Sequence, residues 1–143
     1  MSMDLSATYA ALQALHLGIA GIKTAPTDRP TTLPAADLPC VLSWLAPGEW
    51  TIMSKSYEKQ KREWIVRFYY APQGQGVGIA PAAAILAFFA LFPRAYFANQ
   101  TLGGVVDHIQ SCRDQGDDGI LVYGGTVYYG FEMRVLIVEK GTA

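Results

Sequence analysis

Four side chains could act as soft metal ligands: His16, His108, Cys40 and Cys112. Zinc sites use closely spaced pairs such as C-x-x-C or H-x-x-x-H, and these residues form no such pair. His108 and Cys112 are four residues apart, which on a strand places both on one face without supplying a second pair. The spacing therefore favours a hydrogen-bonded strand histidine, and two cysteines are too few for a disulfide scaffold.

Three aspartates suggest calcium at first sight: Asp114, Asp117 and Asp118. An EF-hand loop needs acids or Asn at alternate positions and a Glu at the twelfth. Here Gly116 holds the third position and Gly125 the twelfth. The pattern predicts a turn rich in Asp and Gly.

The glycines of residues 74–78 follow a predicted strand and precede a predicted helix, as in a dinucleotide-binding loop. Their spacing departs from G-x-G-x-x-G, and no acid lies between Glu63 and Asp107 to bind a ribose. Asp107 and His108 are neighbours, so on a strand they would point to opposite faces. Since there is also no G-x-S-x-G elbow, we expect no enzyme and no cofactor.

The composition predicts a folded single domain over residues 1–143. The chain is 51% hydrophobic and 16% charged, with a net charge of -1. Such a balance argues against a basic nucleic-acid binder and against a disordered chain. So few charges on a small domain predict that part of the apolar surface faces other subunits.

The N-terminus does not resemble a signal peptide, because no Lys or Arg precedes Lys23 and an acid, Asp4, occupies the start. We therefore expect a cytoplasmic chain. Residues 71–93 carry no charge before Arg94, but glycines and Pro81 interrupt the first half. The remaining dozen residues are too short for a membrane span and predict a buried helix.

Two helices are predicted. The first is capped by Asp4 or Ser6, carries an apolar stripe and stops at Gly18 and Gly21. The second starts near Ala82, and Pro93 should bend or shorten it. One face of this second helix is large and apolar, whereas the other consists mostly of alanines. The large residues are Ile85, Phe88, Phe89, Phe92 and Tyr96; the small face has Ala83, Ala84, Ala87, Ala90, Leu91 and Ala98.

The remaining segments predict strands and long loops. Residues 40–44 form a short strand, Pro47-Gly48 a turn, and residues 50–53 and 62–71 the two arms of a hairpin. The charged stretch between them should be a solvated tip, and residues 23–39, rich in proline, an extended surface loop. Residues 105–113, 120–123 and 126–140 form three more strands, the last one central, with a primed turn at Gly124-Gly125. The order predicts an α+β domain with an antiparallel or mixed sheet and two helices on one face.

Five segments spread over most of the chain look familiar: HLGIAGIKTAP, ADLPCVLSWLAPGEW, FYYAPQGQGVG, LGGVVDHI and DGILVYGGTVYYGFEMRVLIVEK. With the element order, they resemble the tail-terminator (tail-completion, minor tail) proteins at the neck of long, non-contractile-tailed, lambda-like phages. The resemblance implies an α/β subunit that forms a hexameric ring. Such a ring caps the tail tube, ends its polymerisation and joins the tail to the head connector, with DNA passing through its lumen.

This resemblance implies a structural virion protein, assembled in the host cytoplasm, with no catalytic residues, no cofactor and no membrane partner. Its partners would be further copies of itself, the tail tube protein, head-tail connector proteins and genomic DNA, bound without sequence specificity. We expect subunit contacts at Gln73, Gln75, Ala83, Ala87, Ala90, Arg94 and Tyr128. Tube or connector contacts are expected at Asp28, Arg29, Trp50, Lys55, Tyr57 and Lys59.

Other readings stay open. Head-completion adaptors and tube subunits share related folds and sizes with tail terminators. A small-molecule enzyme or binding domain would need a pocket beside Asp107, His108 and Tyr123. A general adaptor outside phages is a third alternative.

Overall fold

A computed structural model describes residues 4–54, 57–73, 82–115 and 119–142. The helices are α1 (Leu5–Leu17), α2 (Ala82–Phe89) and α3 (Leu91–Ala98), and Ala35–Asp37 form one short helical turn. The strands are β1 (Cys40–Ser54), β2 (Tyr57–Pro72), β3 (His108–Asp114), β4 (Ile120–Tyr123) and β5 (Thr126–Thr142). All named strand pairs are antiparallel, in the order β1-β2-β5-β3, and β4 also pairs with β5. The predicted α+β class and the central position of the last strand are confirmed.

The main core lies between the helices and one face of the sheet. Phe68 on β2 and Phe131 on β5 stack with ring centroids 4.9 Å apart, and Phe92 of α3 packs edge-on against Phe131. Leu12 of α1 is fully buried in the same cluster. The helices thus cover one face of the sheet, as predicted from the apolar stripes.

Asp4 caps α1, because its Oδ1 accepts hydrogen bonds from the backbone N–H groups of Ser6 (3.0 Å) and Ala7 (3.2 Å). The second predicted helix is divided into α2 and α3 at Ala90. Pro93 accounts for the division, since it has no N–H to bond the carbonyl of Phe89 and its ring crowds that carbonyl.

The predicted turn at Pro47-Gly48 is wrong, because β1 runs through it. Leu45 pairs with Trp64 and Gly48 with Arg62, so two residues of β1 oppose one of β2 in a β-bulge. The bulge absorbs Pro47, whose missing N–H a regular ladder would not tolerate. A Cβ on Gly48 would lie 2.8 Å from the Lys61 carbonyl oxygen, so the close approach requires glycine here.

The third strand begins at His108, three residues later than predicted. Leu102, Gly103 and Gly104 all have positive φ, at 49°, 70° and 92°. This left-handed run forms a turn that delays the start of the strand. Gly124 and Gly125 also have positive φ, as a primed hairpin requires, so that turn is confirmed.

The proline-rich segment folds back onto the sheet face opposite the helices. Leu33 and Leu38 are buried there, and the Tyr123 hydroxyl donates to the Pro30 carbonyl. At the free edge of β1, the Val41 N–H donates to the Thr24 carbonyl over 3.0 Å. The predicted loop is thus mostly at the surface, but Leu33 and Leu38 point inward and cover a second, smaller core.

Candidate interaction surfaces

Beyond the helices, the sheet continues as a three-stranded projection, which we call the arm: residues 47–54 of β1, 57–62 of β2 and 138–142 of β5. Large apolar side chains on the arm are exposed to solvent. Ile52 is 84% exposed, Trp50 and Met53 are each 53% exposed, and Tyr57 is 43% exposed. A lone domain gains nothing by presenting such side chains to water, so the arm is a candidate contact surface.

The two faces of the arm differ in chemistry. Trp50, Ile52 and Glu58 lie on the same side of the sheet as the helices, since Trp50 pairs with Gln60 and Ile52 with Glu58. Glu49, Met53, Lys59 and Lys61 lie on the opposite side, around a shallow hollow of about 290 Å³. Lys59 also stands directly opposite Lys140 on β5. The helix side therefore presents Trp50 and Ile52 among polar side chains, and the opposite side carries an excess of lysine beside Met53.

Buried hydrogen bonds anchor the arm to the domain. Gln60 is fully buried and its Nε2 donates to Glu139 Oε2 over 2.9 Å, while the Thr8 hydroxyl lies 2.5 Å from Glu139 Oε1. Burial raises the pKa of Glu139, because the charged carboxylate loses its hydration. The predicted solvated tip over the charged stretch is thus wrong at Gln60. Sequence periodicity does not indicate its partner Glu139, which lies 79 positions away on β5.

Arg62 stiffens the base of the arm. Its Nη1 donates to the carbonyl of Ala46 at the bulge over 2.8 Å, and its Nε donates to Gln60 Oε1 over 3.1 Å. The guanidinium carbon also lies 6.0 Å from the ring centroid of Trp50. These contacts position the exposed tryptophan on a fixed support.

The second candidate surface is the outer side of α2 and α3. Ala83, Ala87 and Ala90 of the alanine face are exposed there, and so is Arg94, so the predicted burial of this helix is wrong on its outer side within this fold. Leu86 beside them is 65% exposed and Phe97 52%. Two elements of this chain thus present apolar side chains to solvent on separate parts of the molecule.

A groove of about 410 Å³ adjoins the alanine face, between the C-terminal end of α1 and α3. Small and aliphatic residues line it, and Arg94 and Asn99 supply its polar side chains. Its lining is Ala14, Leu15, Gly18, Ile19, Ala20, Leu91, Arg94, Ala95 and Asn99. We call it the α1–α3 groove.

Tyr128 does not belong to either surface. It is 3% exposed, packs against Tyr69 and donates its hydroxyl to the Leu33 carbonyl over 3.1 Å. The prediction of a subunit contact at Tyr128 is therefore wrong within this fold, because the folded-back loop covers it. The position of Tyr128 next to a turn in the sequence does not indicate that the segment around Leu33 covers it.

The remaining predicted contact residues have mixed placements. Gln73 is exposed at the end of β2, and its N–H donates to the Val127 carbonyl over 2.9 Å. Asp28 and Arg29 are exposed, but Arg29 donates to the Ser43 carbonyl over 3.0 Å and covers Trp44. Gln75 and Lys55, with most of the predicted glycine loop, lie outside the described residues.

The titratable residues singled out by sequence do not converge on one site. His108 pairs with Val138 and Tyr123 pairs with Thr126, which places them roughly 40 Å apart along β5. A bulge after Ile109 puts His108 and Cys112 on opposite faces, contrary to prediction. No group of three or more metal-ligating side chains occurs in the described ranges.

Asp107 and His108 do contact each other, contrary to the predicted opposite faces, because Asp107 precedes the strand. His108 Nδ1 lies 2.6 Å from Asp107 Oδ2, and Lys140 Nζ lies 3.6 Å from the same oxygen. The hydrogen bond with His108 is the main cause that lowers the pKa of Asp107. The cluster is exposed and has the composition of a surface ion pair.

His16 belongs to a buried polar network. Its Nδ1 lies 2.8 Å from Gln13 Oε1 and its Nε2 lies 2.7 Å from the Tyr96 hydroxyl. Gln13 Nε2 donates to the carbonyls of Pro26 and Val41, and its Oε1 also accepts from the Ser43 hydroxyl. Burial lowers the pKa of His16 to about 3, so the ring is neutral. The network fastens α1 to β1 and α3 and presents no group to a ligand.

Comparison with known proteins does not assign a relative. The sequence matches no protein-family model and no curated protein at a significant level. No helix in the described part of the chain is long and apolar enough to cross a membrane.

Proposed function

We propose that this chain is a structural, ring-forming subunit of the neck of a long, non-contractile-tailed phage. In this role the ring caps the tail tube, ends its polymerisation and joins the tail to the head connector. It acts in the virion after assembly in the host cytoplasm, and DNA passes through its lumen without sequence-specific contacts.

The observation that carries the proposal is the exposed arm, with Ile52 at 84% exposure beside Trp50. Fixed apolar side chains on a projecting sheet are typical of surfaces that a partner covers. The alanine face supplies a second such surface elsewhere on the chain. Two different apolar surfaces on one subunit favour head-to-tail assembly, which gives a closed ring when the rotation between subunits closes.

Electron microscopy of purified protein mixed with tail tubes of the corresponding phage tests the proposal. We expect rings at one end of each tube and no further lengthening of capped tubes. A matched sample with Ile52→Lys should leave the ends bare, since a buried lysine in the contact is costly. Tubes that grow unchanged in the presence of the wild-type chain would refute the proposal.

A further inference from the structure

The arm and the α1–α3 groove lie at opposite ends of α1. The arm base is bonded to Thr8 in the second turn of α1, whereas the groove is lined by Ala14 and Gly18 at its other end. Thr8 and Gly18 are ten residues apart, which is about 15 Å along the helix axis. A subunit cannot fold its own arm into its own groove, because Gln60 and Arg62 anchor the arm base.

The two surfaces are complementary in size and in charge. The helix side of the arm offers two large apolar side chains, Trp50 and Ile52, and one half-buried acid, Glu58. Arg62 on the same side is already bonded to Gln60 and to the Ala46 carbonyl. The groove offers an apolar lining of alanine, glycine, leucine and isoleucine and one exposed base, Arg94. No ion pair within the described residues engages either Glu58 or Arg94.

The helical region is short of acids. Between Glu63 and Asp107 the sequence has no Asp or Glu, so Arg94 has no acidic neighbour on α2 or α3. A carboxylate from another molecule would neutralise the Arg94 guanidinium when that molecule covers the surrounding apolar face. The arm supplies such a carboxylate beside the apolar side chains that would fill the groove.

We propose that the arm of one subunit docks into the α1–α3 groove of the next copy of the same chain. Trp50 and Ile52 pack on the small residues of the groove, and Glu58 pairs with Arg94. The contact joins two different surfaces, so every subunit uses its arm once and its groove once. This inference rests on the proposed ring and names the contact that builds it.

Charge reversal tests the pairing by sedimentation velocity of the full chain. Glu58→Arg or Arg94→Glu alone should raise the concentration at which rings form by about tenfold or more. The double variant should assemble within about threefold of wild type, because the pair is restored with opposite polarity. Far-UV circular dichroism checks that each variant keeps its fold.

Matched controls reverse charges away from the proposed contact. Glu49→Arg reverses an acid on the opposite side of the arm, and Lys23→Glu reverses an exposed base outside the groove. Both should assemble within about twofold of wild type, the scatter expected of remote surface changes.

The outcomes separate this contact from the proposed function. Rings that form equally well in both single variants, or single defects that the double variant does not rescue, overturn the arm-to-groove pairing and leave the ring standing. A wild-type chain that stays monomeric at every concentration overturns the ring and this contact together.

Discussion

The neutral state of His16 follows from its surroundings. Gln13 Oε1 can only accept, so His16 Nδ1 carries the proton and Nε2 accepts from the Tyr96 hydroxyl. Protonating Nε2 would break the second bond and bury a charge. A single histidine thus couples the stability of the helical layer to pH.

Stability should therefore fall in acid through His16. The folded pKa, about 3, lies below the ordinary 6.5, so this contribution is complete above the ordinary value. It decreases as the pH falls, and at pH 4.5, two units below the ordinary pKa, the loss approaches about 3 kcal/mol. Urea unfolding of wild type and His16→Gln at pH 7 and at about pH 4.5 measures it.

The variant should be less stable at pH 7 but should lose less stability on acidification. Lys23→Gln, an exposed substitution outside this network, serves as the control and should retain the wild-type pH dependence. Parallel pH dependence in wild type and His16→Gln would contradict the assignment of a buried neutral ring.

The contribution of Glu139 to stability should change with pH in the opposite direction, since burial raises its pKa and disfavours the ionised form. Glu139→Gln should equal or exceed wild-type stability at about pH 8, and this advantage should shrink at about pH 4, where the wild-type carboxyl is protonated. The new amide can donate to Thr8 Oγ1, whose hydrogen bonds the Asp4 carbonyl 3.2 Å away. Urea unfolding at both pH values checks this.

Two further substitutions serve as controls for the Glu139→Gln measurement. Glu49→Gln on the exposed arm should change stability little at either pH. Glu139→Leu should be clearly destabilising, because Gln60 would lose its buried partner. A Glu139→Gln protein that loses stability as the pH rises relative to wild type would refute the cause given for the pKa.

At the level of elements, the sequence predicted those whose signals are local. The helical stripe of Ile85, Phe92 and Tyr96, the cap at Asp4 and the glycine turn at 124–125 all depend on residues within a few positions. The alanine face of the candidate site was found in the same way. Local residue spacing is sufficient to predict an element that packs against a single hydrophobic core.

Features set by distant residues escaped prediction. Pro47 resembles a turn, yet pairing with β2 keeps it in a strand through a bulge. Tyr128 resembles a surface aromatic, yet the segment around Leu33 covers it. Gln13 and Gln60 resemble surface residues, yet each bonds partners more than ten positions away. Long-range pairing has no signature in a single sequence.

The close approach of β2 and β5 at Gly130 gives a testable prediction at this scale. A Cβ on Gly130 would lie 1.8 Å from the Phe68 carbonyl oxygen, so Gly130→Ala must displace the two central strands. We expect a loss of more than about 3 kcal/mol in the free energy of unfolding. Thermal or urea unfolding provides the measurement.

Gly125→Ala supplies the comparison for that variant. A Cβ on Gly125 meets no atom within 4 Å, and its φ of 80° alone causes strain. The cost should be about 1 kcal/mol. Equal losses in the free energy of unfolding for Gly130→Ala and Gly125→Ala would contradict the close approach of β2 and β5 at Gly130.

For the molecule as a whole, the composition raises the question of where so many apolar side chains lie. The chain is 51% hydrophobic and 16% charged, and its core does not absorb all of the apolar side chains. Val122 on β4 is 61% exposed, but the arm and the outer side of α2 and α3 carry much of the excess. We interpret both as surfaces that neighbouring subunits cover, and a hexameric ring would cover each of them once per subunit.

The mass of the purified chain in solution tests this interpretation most directly. Multi-angle light scattering over a wide concentration range should detect a closed species near six times the 15.6 kDa chain mass. Ile52→Lys should shift that species toward the monomer. A wild-type chain that remains at 15.6 kDa at every concentration would contradict the account.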